Sequence, residues 1–210
     1  RVIKRIICCS DSAYDEYVHR FGRRNDVCSI PNGIDMDAIR SMCQFLEVRA
    51  ASIRFCSVGR LSFQKNFSIS VKAFLETDYE NCEYYIIGNG EDKEKIEAII
   101  GRNKRVKLLG NLPRKDVMQQ IANSDMIVMP SRWEGLSIFQ LEALAIGCPM
   151  MVSDISAFRQ VFHEKKLKAN ELFRKCDWGY LVQTDNVVAW QEAFKNFCEN
   201  VNLKNKMHDA

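Results

Sequence analysis

Two glutamates eight positions apart, Glu134 and Glu142, are the side chains of this sequence best suited to binding and chemistry. The first follows an apolar run and Pro130 in a glycine-containing turn, and the second lies in the helical pattern that comes next. At such a turn, free backbone N–H groups and the helix dipole bind anions. A carboxylate beside a phosphate would repel it unless the carboxylate faced sugar hydroxyls. The arrangement therefore predicts a ligand that carries both phosphate and sugar.

Short apolar runs alternate with amphipathic stretches along most of the chain. This alternation predicts an α/β fold, a Rossmann-like parallel sheet with helices on both faces. Ligands of such sheets bind outside the carboxyl ends of the strands, where the turns after Val58, Ile87, Leu109 and Met129 are predicted to lie. The predicted strands are 53–58, 84–88, 105–109, 126–129, 149–153 and 180–183, and the predicted helices are 66–76, 91–100, 114–122, 138–146 and 187–199.

Several residues at the predicted helix ends suit a helix terminus. Asn66 and Asn186 are predicted to cap the helices that follow them, and Pro113 is predicted to open one. Gly101 and Gly147 are predicted to close two others. These ends fix where each helix starts and stops relative to the strands.

The spacing of the two glutamates, followed by Ala143 and by the Gly-Cys-Pro of 147–149, resembles the signature of the family-4 retaining glycosyltransferases, or glycosyl transferases group 1. Other segments are similar to further motifs of this family in the same order, and the likeness runs from about Ile6 to about Phe194. The family has the GT-B fold of two Rossmann-like domains, so the resemblance implies that this chain is the C-terminal, donor-binding half of a retaining glycosyltransferase. The similar segments are 29–35, 58–66, 86–91, 108–110 and 129–131.

The resemblance implies a catalytic role for cations after the first predicted strand of this half. Transfer of a sugar from a nucleotide leaves a nucleoside diphosphate, so charge grows on the β-phosphate in the transition state, where fixed cations lower the barrier. Arg60 and Lys65 match the family residues that bind the diphosphate, and Gly59 lets the backbone approach a phosphate. We therefore expect the site to work without a metal ion or another cofactor.

The same resemblance assigns the two carboxylates and the residues around them. Glu134 would contact the transferred sugar, and Glu142 would contact the ribose hydroxyls. Gly88 and Gly90 would border the cleft for the sugar nucleotide, although a tight strand–helix turn explains these glycines equally well. The backbone of Gly135, Leu136, Ser137 and Ile138 would hold the pyrophosphate, and the base would lie near Leu109, Gly110 and Asn111.

Three positions depart from the pattern of the family. Ser137 stands where the family often has Gly, but its backbone N–H is kept. Gln160 replaces a frequent Glu, and Cys148 lies within the Gly-Cys-Pro. Neither of the two glutamates nor either cation is missing, which predicts an intact site.

Composition and charge exclude several classes of protein. The net charge of +3, from 30 basic and 27 acidic residues, is too balanced to indicate a nucleic-acid partner. Nine cysteines without a Cys-x2-Cys spacing indicate reduced thiols rather than a metal site or a disulfide framework. His19, His163 and His208 are isolated and are assigned no ligand role. Neither a membrane span nor a secretory signal is recognisable, so a cytoplasmic protein is expected.

The first residues lead us to expect a fragment of a longer protein. The chain opens on Arg and then on a strand-like run, 6–9. By the resemblance, residues 1–30 would be the final strand and helix of a missing N-terminal domain with its linker, and residues 31–210 would be the domain that binds the nucleotide sugar. We expect the fragment to bind the sugar donor without transferring sugar, because the acceptor glycan or glycolipid would bind the missing domain. Its exposed strand edge makes a dimer a further expectation.

Residues 154–179 form the least regular and most basic segment. A solvated insertion is its simplest interpretation. A surface that contacts an anionic membrane, at the inner face of which the protein would then lie, is the alternative.

Other functions remain open at this point. A non-catalytic module that binds nucleotide sugars would have the same motifs, as would a nucleotide-sugar epimerase or a phosphorylase of this architecture. The absence of histidine from the motifs disfavours an epimerase, and the absence of Gly-x-Gly-x-x-Gly after 53–58 disfavours a dinucleotide-binding domain. The sugar, the base, the acceptor and the linkage stay open.

Overall fold

A computed structural model describes residues 5–43 and 52–201 of the chain. These residues form strands and helices that alternate for most of their length. In chain order the elements are β1 (Ile6–Cys8), α1 (Asp11–Phe21), β2 (Val27–Ser29), α2 (Met36–Ser41), β3 (Ile53–Val58), α3 (Phe67–Leu75), β4 (Cys82–Ile87), α4 (Lys93–Ile100), β5 (Val106–Gly110), α5 (Arg114–Ala122), β6 (Met126–Met129), α6 (Ile138–Ile146), β7 (Met150–Ser153), α7 (Ser156–Phe162), β8 (Phe173–Cys176), β9 (Gly179–Val182) and α8 (Val187–Glu199).

The main sheet has seven strands in the order β5-β4-β3-β6-β7-β9-β8. Its neighbouring strands are parallel except for β8, which pairs with β9 in the antiparallel direction. Strands β6 and β7 are buried at every residue, as expected for parallel strands covered by helices on both faces. The predicted Rossmann-like α/β fold is therefore confirmed, with one antiparallel strand added at the edge.

Apolar side chains form one cluster on each face of this sheet. One cluster joins Phe55 of β3 to α3 and α8, and the rings of Phe55 and Phe194 pack edge-on with centroids 4.9 Å apart. The other joins Cys56, the next residue of β3, to α5 and α6. Successive residues of β3 thus face opposite clusters, which is the period of two expected for a strand. Because helices cover both faces, the strand ends are where a ligand can approach.

Most of the predicted helix ends are confirmed, and one is wrong. Asn186 Oδ1 accepts a hydrogen bond from the Ala189 amide, Pro113 directly precedes α5, and Gly101 and Gly147 end α4 and α6 with positive φ. Asn66 stands at the N-cap position of α3, but its side chain makes no capping hydrogen bond. Its backbone is left-handed (φ 53°), and its side-chain amide donates to Asp185 instead. Asn tolerates this conformation better than most residues.

The segment 154–179 is more regular than the sequence indicated, since it contains α7 and β8. Strand β8 was missed because Arg174 and Lys175 break its apolar pattern, as is common at a sheet edge. The Arg174 guanidinium pairs with Glu164 and Glu171. The short elements β2 and α2 were also missed, and β4, β5, β7 and β9 begin or end one or two residues away from their predicted bounds.

The residues before α2 lie beside the main sheet rather than in it. Strands β1 and β2 pair in a parallel two-stranded sheet of their own. Helix α1, which connects them, packs against α7, where the hydroxyls of Ser12 and Ser156 are 2.8 Å apart. Ile7 and Phe21 remain largely exposed on this unit. The strand and helix predicted within residues 1–30 are thus present, together with a second strand.

Candidate functional site

Four loops meet at the carboxyl edge of the main sheet. They follow β3, β4, β5 and β6, which are neighbours in the sheet. Parallel strands end at the same edge, so these loops lie side by side. They span 59–66, 88–92, 111–113 and 130–137. Every residue that the sequence pointed to as a catalytic group lies on one of these loops or at the start of the helix behind it.

An ion pair joins the loop after β3 to the loop after β6. Lys65 Nζ lies 2.5 Å from Glu134 Oε1, and the Ser131 hydroxyl donates to the same oxygen at 2.7 Å. Both charged side chains are largely buried, at 19% exposure for Lys65 and 7% for Glu134. No group among residues 5–43 and 52–201 donates to Glu134 Oε2, which can therefore accept hydrogen bonds from a ligand. The sequence placed both residues in the site but did not indicate that they pair.

The same two loops are fastened by three further hydrogen bonds. The Arg132 amide donates to the Gln64 carbonyl at 2.8 Å, and the Gln64 side chain donates to the Trp133 carbonyl at 2.9 Å. The Arg132 guanidinium donates to the Phe63 carbonyl at 2.7 Å and stacks over the Phe63 ring. Residues 131–134 are thus held by the loop after β3.

Arg60 is exposed at the mouth of a cleft of about 460 Å³ between the loops after β3, β4 and β5. Its guanidinium forms no hydrogen bond or ion pair with any residue that the structure describes. All five of its N–H groups are therefore available to an anion. The cleft is lined by Val58, Gly59, Arg60, Ile87, Gly88, Asn89, Asn111, Leu112 and Val117.

Gly88 and Gly90 hold the loop that carries Arg60. A Cβ on Gly88 would lie 1.9 Å from the Gly59 carbonyl oxygen, and a Cβ on Gly90 would lie 2.3 Å from the Leu61 carbonyl oxygen. The Gly59 amide donates to the Ile87 carbonyl, and the Leu61 amide donates to the Asn89 carbonyl, both at 3.0 Å. The tight-turn explanation of these glycines is therefore present in the structure, and Gly88 also lines the cleft.

The residues predicted to lie near the base are only partly in the cleft. Asn111 lines it, whereas Leu109 packs into the core cluster of α5 and α6, and the Gly110 carbonyl accepts a hydrogen bond from Gly88. Leu112 and Val117, which the sequence did not single out, supply the apolar wall. The predicted base segment, 109–111, leads directly into α5, and Val117 is an apolar residue in the first turns of that helix. This position is the sequence signal that could have identified it.

The start of α6 leaves its amides free. Ser137 precedes the helix, and its hydroxyl accepts a hydrogen bond from the Gln140 amide at 3.4 Å, so the Ser that replaces the usual Gly acts as the N-cap. The amides of Gly135, Leu136, Ser137 and Ile138 donate no hydrogen bond to any described residue. Free amides at a helix start favour the binding of an anion.

The carbonyls of this turn are bound by the N-terminal residues. The Ser10 hydroxyl donates to the Gly135 carbonyl and the Asn32 side chain donates to the Leu136 carbonyl, each at 3.3 Å. Since N–H and C=O point in opposite directions across a trans peptide, the amides of Leu136 and Ser137 are directed away from those two side chains. Gly135 has little room for a side chain, because a Cβ there would lie 3.0 Å from Cys9 Sγ.

Glu142 has a partner that the sequence did not indicate. Its carboxylate is 2.7 Å from the Arg114 guanidinium at the start of α5, and its side chain is 9% exposed while that of Arg114 is 59% exposed. Burial raises the pKa of Glu142, and the charge of Arg114 acts in the opposite direction. The sequence carries no local signal for this pair, because Arg114 and Glu142 lie on different helices. Only the packing of α5 against α6, which the structure shows, brings the two residues together.

Two features are missing from the part of the chain that the structure describes. No group of three or more His, Cys, Asp or Glu side chains is arranged to hold a metal ion. None of the helices is both long and apolar enough to cross a membrane. The chain does contain one Asp-x-Asp sequence, 35–37, in which Asp35 accepts a hydrogen bond from the Ala38 amide and caps α2.

Comparison with known families gives a match over most of the chain. The family model described as "Glycosyl transferases group 1" matches residues 44–210. Those residues include the loops after β3, β4, β5 and β6 and thus every predicted catalytic residue.

Two curated relatives illustrate the similarity in sequence. The chain is 30% identical over 199 residues to N-acetylgalactosamine-N,N'-diacetylbacillosaminyl-diphospho-undecaprenol 4-alpha-N-acetylgalactosaminyltransferase of Campylobacter jejuni, covering 90% of this chain and 49% of that protein. It is 32% identical over 142 residues to UDP-Gal:alpha-D-GlcNAc-diphosphoundecaprenol alpha-1,3-galactosyltransferase of Escherichia coli, covering 60% of this chain and 36% of that protein. The chain thus spans about a third to a half of the length of these relatives.

Solved structures share the fold at low sequence identity. HepE of Anabaena, crystallised with UDP and glucose, superposes with a TM-score of 0.78 at 16% identity, covering 99% of this chain and 57% of that one. TarM of S. aureus, crystallised with UDP, superposes with a TM-score of 0.76 at 17% identity, covering 98% of this chain and 39% of that one. These likenesses concern the fold.

Proposed function

Because this chain belongs to the glycosyl transferases group 1, we propose that it is the C-terminal, donor-binding half of a retaining glycosyltransferase that uses a nucleotide sugar. One observation carries the proposal. An unpaired guanidinium (Arg60), a buried Lys65–Glu134 pair and the free amides of 135–138 occupy neighbouring loops at one edge of the sheet. These groups match the phosphate and the sugar of such a donor.

In the proposed reaction, Arg60 and Lys65 stabilise the leaving nucleoside diphosphate. Arg60 can bind two phosphate oxygens at once, and Lys65 keeps N–H groups beyond the one that it donates to Glu134. Charge that appears on the β-phosphate during transfer strengthens both contacts, which lowers the barrier more than it strengthens ground-state binding. We propose that these cations do the work of a metal ion, so that no metal or other cofactor is required.

Glu134 is proposed to bind the hydroxyls of the transferred sugar. Its Oε1 is fixed by Lys65 and Ser131, which leaves Oε2 to accept from the sugar. Since the loop that carries it is fastened to the loop after β3, the carboxylate is held in place before the ligand arrives. A pre-organised group of this kind loses little entropy on binding.

The nucleoside is proposed to lie between the cleft and α6. Glu142 would accept hydrogen bonds from the ribose through its carboxylate, and the charge of Arg114 opposes the rise in the pKa of Glu142 that burial causes. The base would occupy the cleft against Leu112 and Val117, with Asn111 at its edge. UDP is the first nucleotide to test, because UDP was bound in HepE and TarM and a UDP-sugar is named for the Escherichia coli relative.

We propose that the acceptor is a lipid-linked glycan that binds outside this chain. Both curated relatives described above act on diphospho-undecaprenol substrates, and the chain spans at most about half of their length. Residues 1–30 would then belong with the acceptor domain and residues 31–210 would form the donor domain. Without the acceptor domain, this fragment would bind the nucleotide sugar but transfer no sugar, because catalysis needs both reactants held in contact.

Contact with a membrane surface would suit such an acceptor. Lys165, Lys166, Lys168 and Lys175 are exposed and form no ion pair with the described residues, whereas Arg174 is neutralised. We propose that these lysines bind anionic headgroups. Salt-sensitive sedimentation with anionic vesicles, and none with neutral vesicles, is the expected result.

Transfer by the intact parent protein tests the function. The protein is incubated with UDP-, GDP- and ADP-sugars and a lipid diphosphate-linked sugar, and the product is analysed by NMR at its anomeric carbon. A product with the anomeric configuration of the donor is expected. A product of inverted configuration would contradict the retaining mechanism, and tight nucleotide-sugar binding without turnover on any acceptor would favour a non-catalytic module.

A further inference from the structure

Two cysteine thiols meet at the edge of the main sheet opposite to the proposed nucleotide site. Cys82 is the first residue of β4, and Cys198 lies in the last turn of α8. Their Sγ atoms are 3.5 Å apart although the residues are 116 positions apart in the chain. Packing of α8 on the sheet brings them together, since Phe194 and Phe197 of that helix lie in the core.

A cavity gives small molecules access to this pair. It has a volume of about 510 Å³ and is bordered by both cysteines and by residues of the connection between α3 and β4. The Cys82 thiol is buried, and that of Cys198 is partly exposed. By contrast, Cys56 is fully enclosed, and burial raises the pKa of its thiol to about 12.

The contacts of the pair favour a thiolate at Cys82. The hydrogen bond with Cys198 and the charge of Arg105 lower the pKa of Cys82, and this lowering outweighs the opposite effects of burial and of the Asp125 charge. The same hydrogen bond and burial both raise the pKa of Cys198. The Arg105 guanidinium is fixed beside the pair by the carbonyls of Thr77 and Tyr79. One cysteine of the pair can thus supply the thiolate and the other the thiol.

We propose that Cys82 and Cys198 are an oxidation site at which hydrogen peroxide forms an intramolecular disulfide. The Cys82 thiolate attacks one peroxide oxygen, which breaks the O–O bond and gives a sulfenic acid and hydroxide. The Cys198 sulfur then attacks the Cys82 sulfur and loses its proton, and the sulfenic oxygen leaves as water. Overall, two thiols and one hydrogen peroxide give one disulfide and two waters.

The disulfide would tie the end of α8 to the start of β4. Tyr79, near Cys82, already donates a hydrogen bond to Glu199 of α8 at 3.1 Å, so the two segments are close in the reduced protein. A crosslink that closes so long a loop stabilises the folded state by restricting the unfolded chain. The nucleotide site lies at the other end of the strands, so nucleotide affinity should not change.

Peptide mapping tests the proposal. The full chain is treated with hydrogen peroxide, alkylated under denaturing conditions and digested with trypsin, which places Cys82 in peptide 73–93 and Cys198 in peptide 196–204 as their only cysteines. The expected result is that these two peptides are linked, two alkylated thiols are lost, and the melting temperature rises by about 5–10 °C until reductant is added.

Matched variants separate this site from general oxidation. Cys198→Ser should abolish the linked peptides and the rise in melting temperature, whereas Cys43→Ser, which removes a half-buried thiol bonded only to carbonyls, should keep both. Full alkylation of all nine cysteines after peroxide would overturn the proposal. Oxidation of Cys82 to a sulfinic acid without a disulfide would also overturn the proposal. Disulfides that join other cysteines, or that join two copies of the chain, would overturn it as well. Failure of nucleotide binding would leave these results unchanged.

Discussion

Residues 131–134 and residues 135–138 are consecutive in the chain but are held in place by different parts of the protein. The first group, which carries Glu134, is fastened to the loop after β3 by the Lys65 ion pair and by three hydrogen bonds. The second group, which carries the free amides, is held through two carbonyls by Ser10 and Asn32 at 3.3 Å. The change of support occurs at the peptide between Glu134 and Gly135.

This difference separates two roles of the proposed site, which are contact with the sugar and binding of the pyrophosphate. The contact to the sugar is built entirely within the α/β domain and rests on close backbone contacts such as that between Gly88 and Gly59. The turn for the pyrophosphate depends on two residues that precede the main sheet: Ser10, which we assign to the neighbouring domain, and Asn32, among the first residues of the donor domain. The sugar contact should therefore be rigid, while the phosphate turn should respond to how those residues are placed.

The largest effect is expected from a substitution that disrupts the backbone contact between the loops after β3 and β4, which supports the sugar contact. Gly88→Ala puts a Cβ 1.9 Å from the Gly59 carbonyl oxygen at a φ of 133°. We expect a loss of about 3 kcal/mol in the free energy of unfolding, measured by urea denaturation. Gly101→Ala is the control, since Gly101 also has positive φ but has open space around it, and about 1 kcal/mol should be lost there. Equal losses for the two variants would show that the contact between the loops is not what matters.

The next effect concerns chemistry on the same side. Glu134→Gln keeps the shape of the side chain but removes the charge beside the transferred sugar and the partner of Lys65. In the intact protein kcat should fall by about 100-fold while the donor KM changes less than about threefold. Exposed Glu94→Gln on α4 serves as the control and should change neither constant. A rise in KM at constant kcat would give Glu134 a binding role instead.

A smaller effect with a distinct pH dependence is expected at the ribose contact. Arg114→Gln removes the charge that opposes the burial of Glu142, so the pKa of Glu142 should rise further. Binding needs the ionised carboxylate, so the donor KM rises as the pH falls through this pKa, and in the variant that rise begins at a higher pH. At pH 7 the increase in KM should be about fivefold, or about 1 kcal/mol, which is the size of one ordinary hydrogen bond.

Two further variants locate the origin of that effect. Glu142→Gln should raise the donor KM by about tenfold and remove its pH dependence, since no group is left to titrate. Exposed Lys115→Gln should leave the profile of the parent unchanged. If the donor KM of Arg114→Gln rises at the same pH as that of the parent, the Arg114–Glu142 pair does not take part in nucleotide binding.

The smallest effect is expected on the side held by the N-terminal residues. Asn32→Ala removes one hydrogen bond to the Leu136 carbonyl, which water can replace in part. Affinity for UDP should fall by about two- to threefold, and the free energy of unfolding should stay within about 0.5 kcal/mol of the parent. Exposed Asn25→Ala should leave both unchanged. A fall in kcat for Asn32→Ala as large as that for Glu134→Gln would contradict the separation of the sugar contact from the pyrophosphate turn.

The sequence predicted the sheet well because its signals are local. Apolar runs such as 53–58 and 126–129 are bounded by turn residues, and strands buried on both faces need little else to be recognised. Strand β8 and helix α7 were missed because their patterns are short and interrupted by charge, and their stability comes from β9 and α1.

The residues of the candidate site could be named from sequence, but not their partners. Pairing of Lys65 with Glu134, and of Arg114 with Glu142, joins elements that are distant in the chain and adjacent only after folding. The same holds for Ser10 and Asn32, whose contacts cross to the turn before α6. Asn66 illustrates the opposite error, since a residue well suited to cap a helix is used for a tertiary contact with Asp185.

Calorimetric titration of the chain with UDP and with uridine, comparing the parent with Arg60→Ala, tests the central claim most directly. Arg60 is the unpaired cation at the cleft, so its loss should weaken UDP binding by about 1.5–3 kcal/mol, the size of a hydrogen bond to a charged group, and leave uridine binding unchanged. Arg102→Ala removes the same charge from an exposed turn at the opposite edge and should bind UDP like the parent. Equal UDP affinity for Arg60→Ala and the parent would contradict the assignment of this edge as a site for a nucleoside diphosphate sugar.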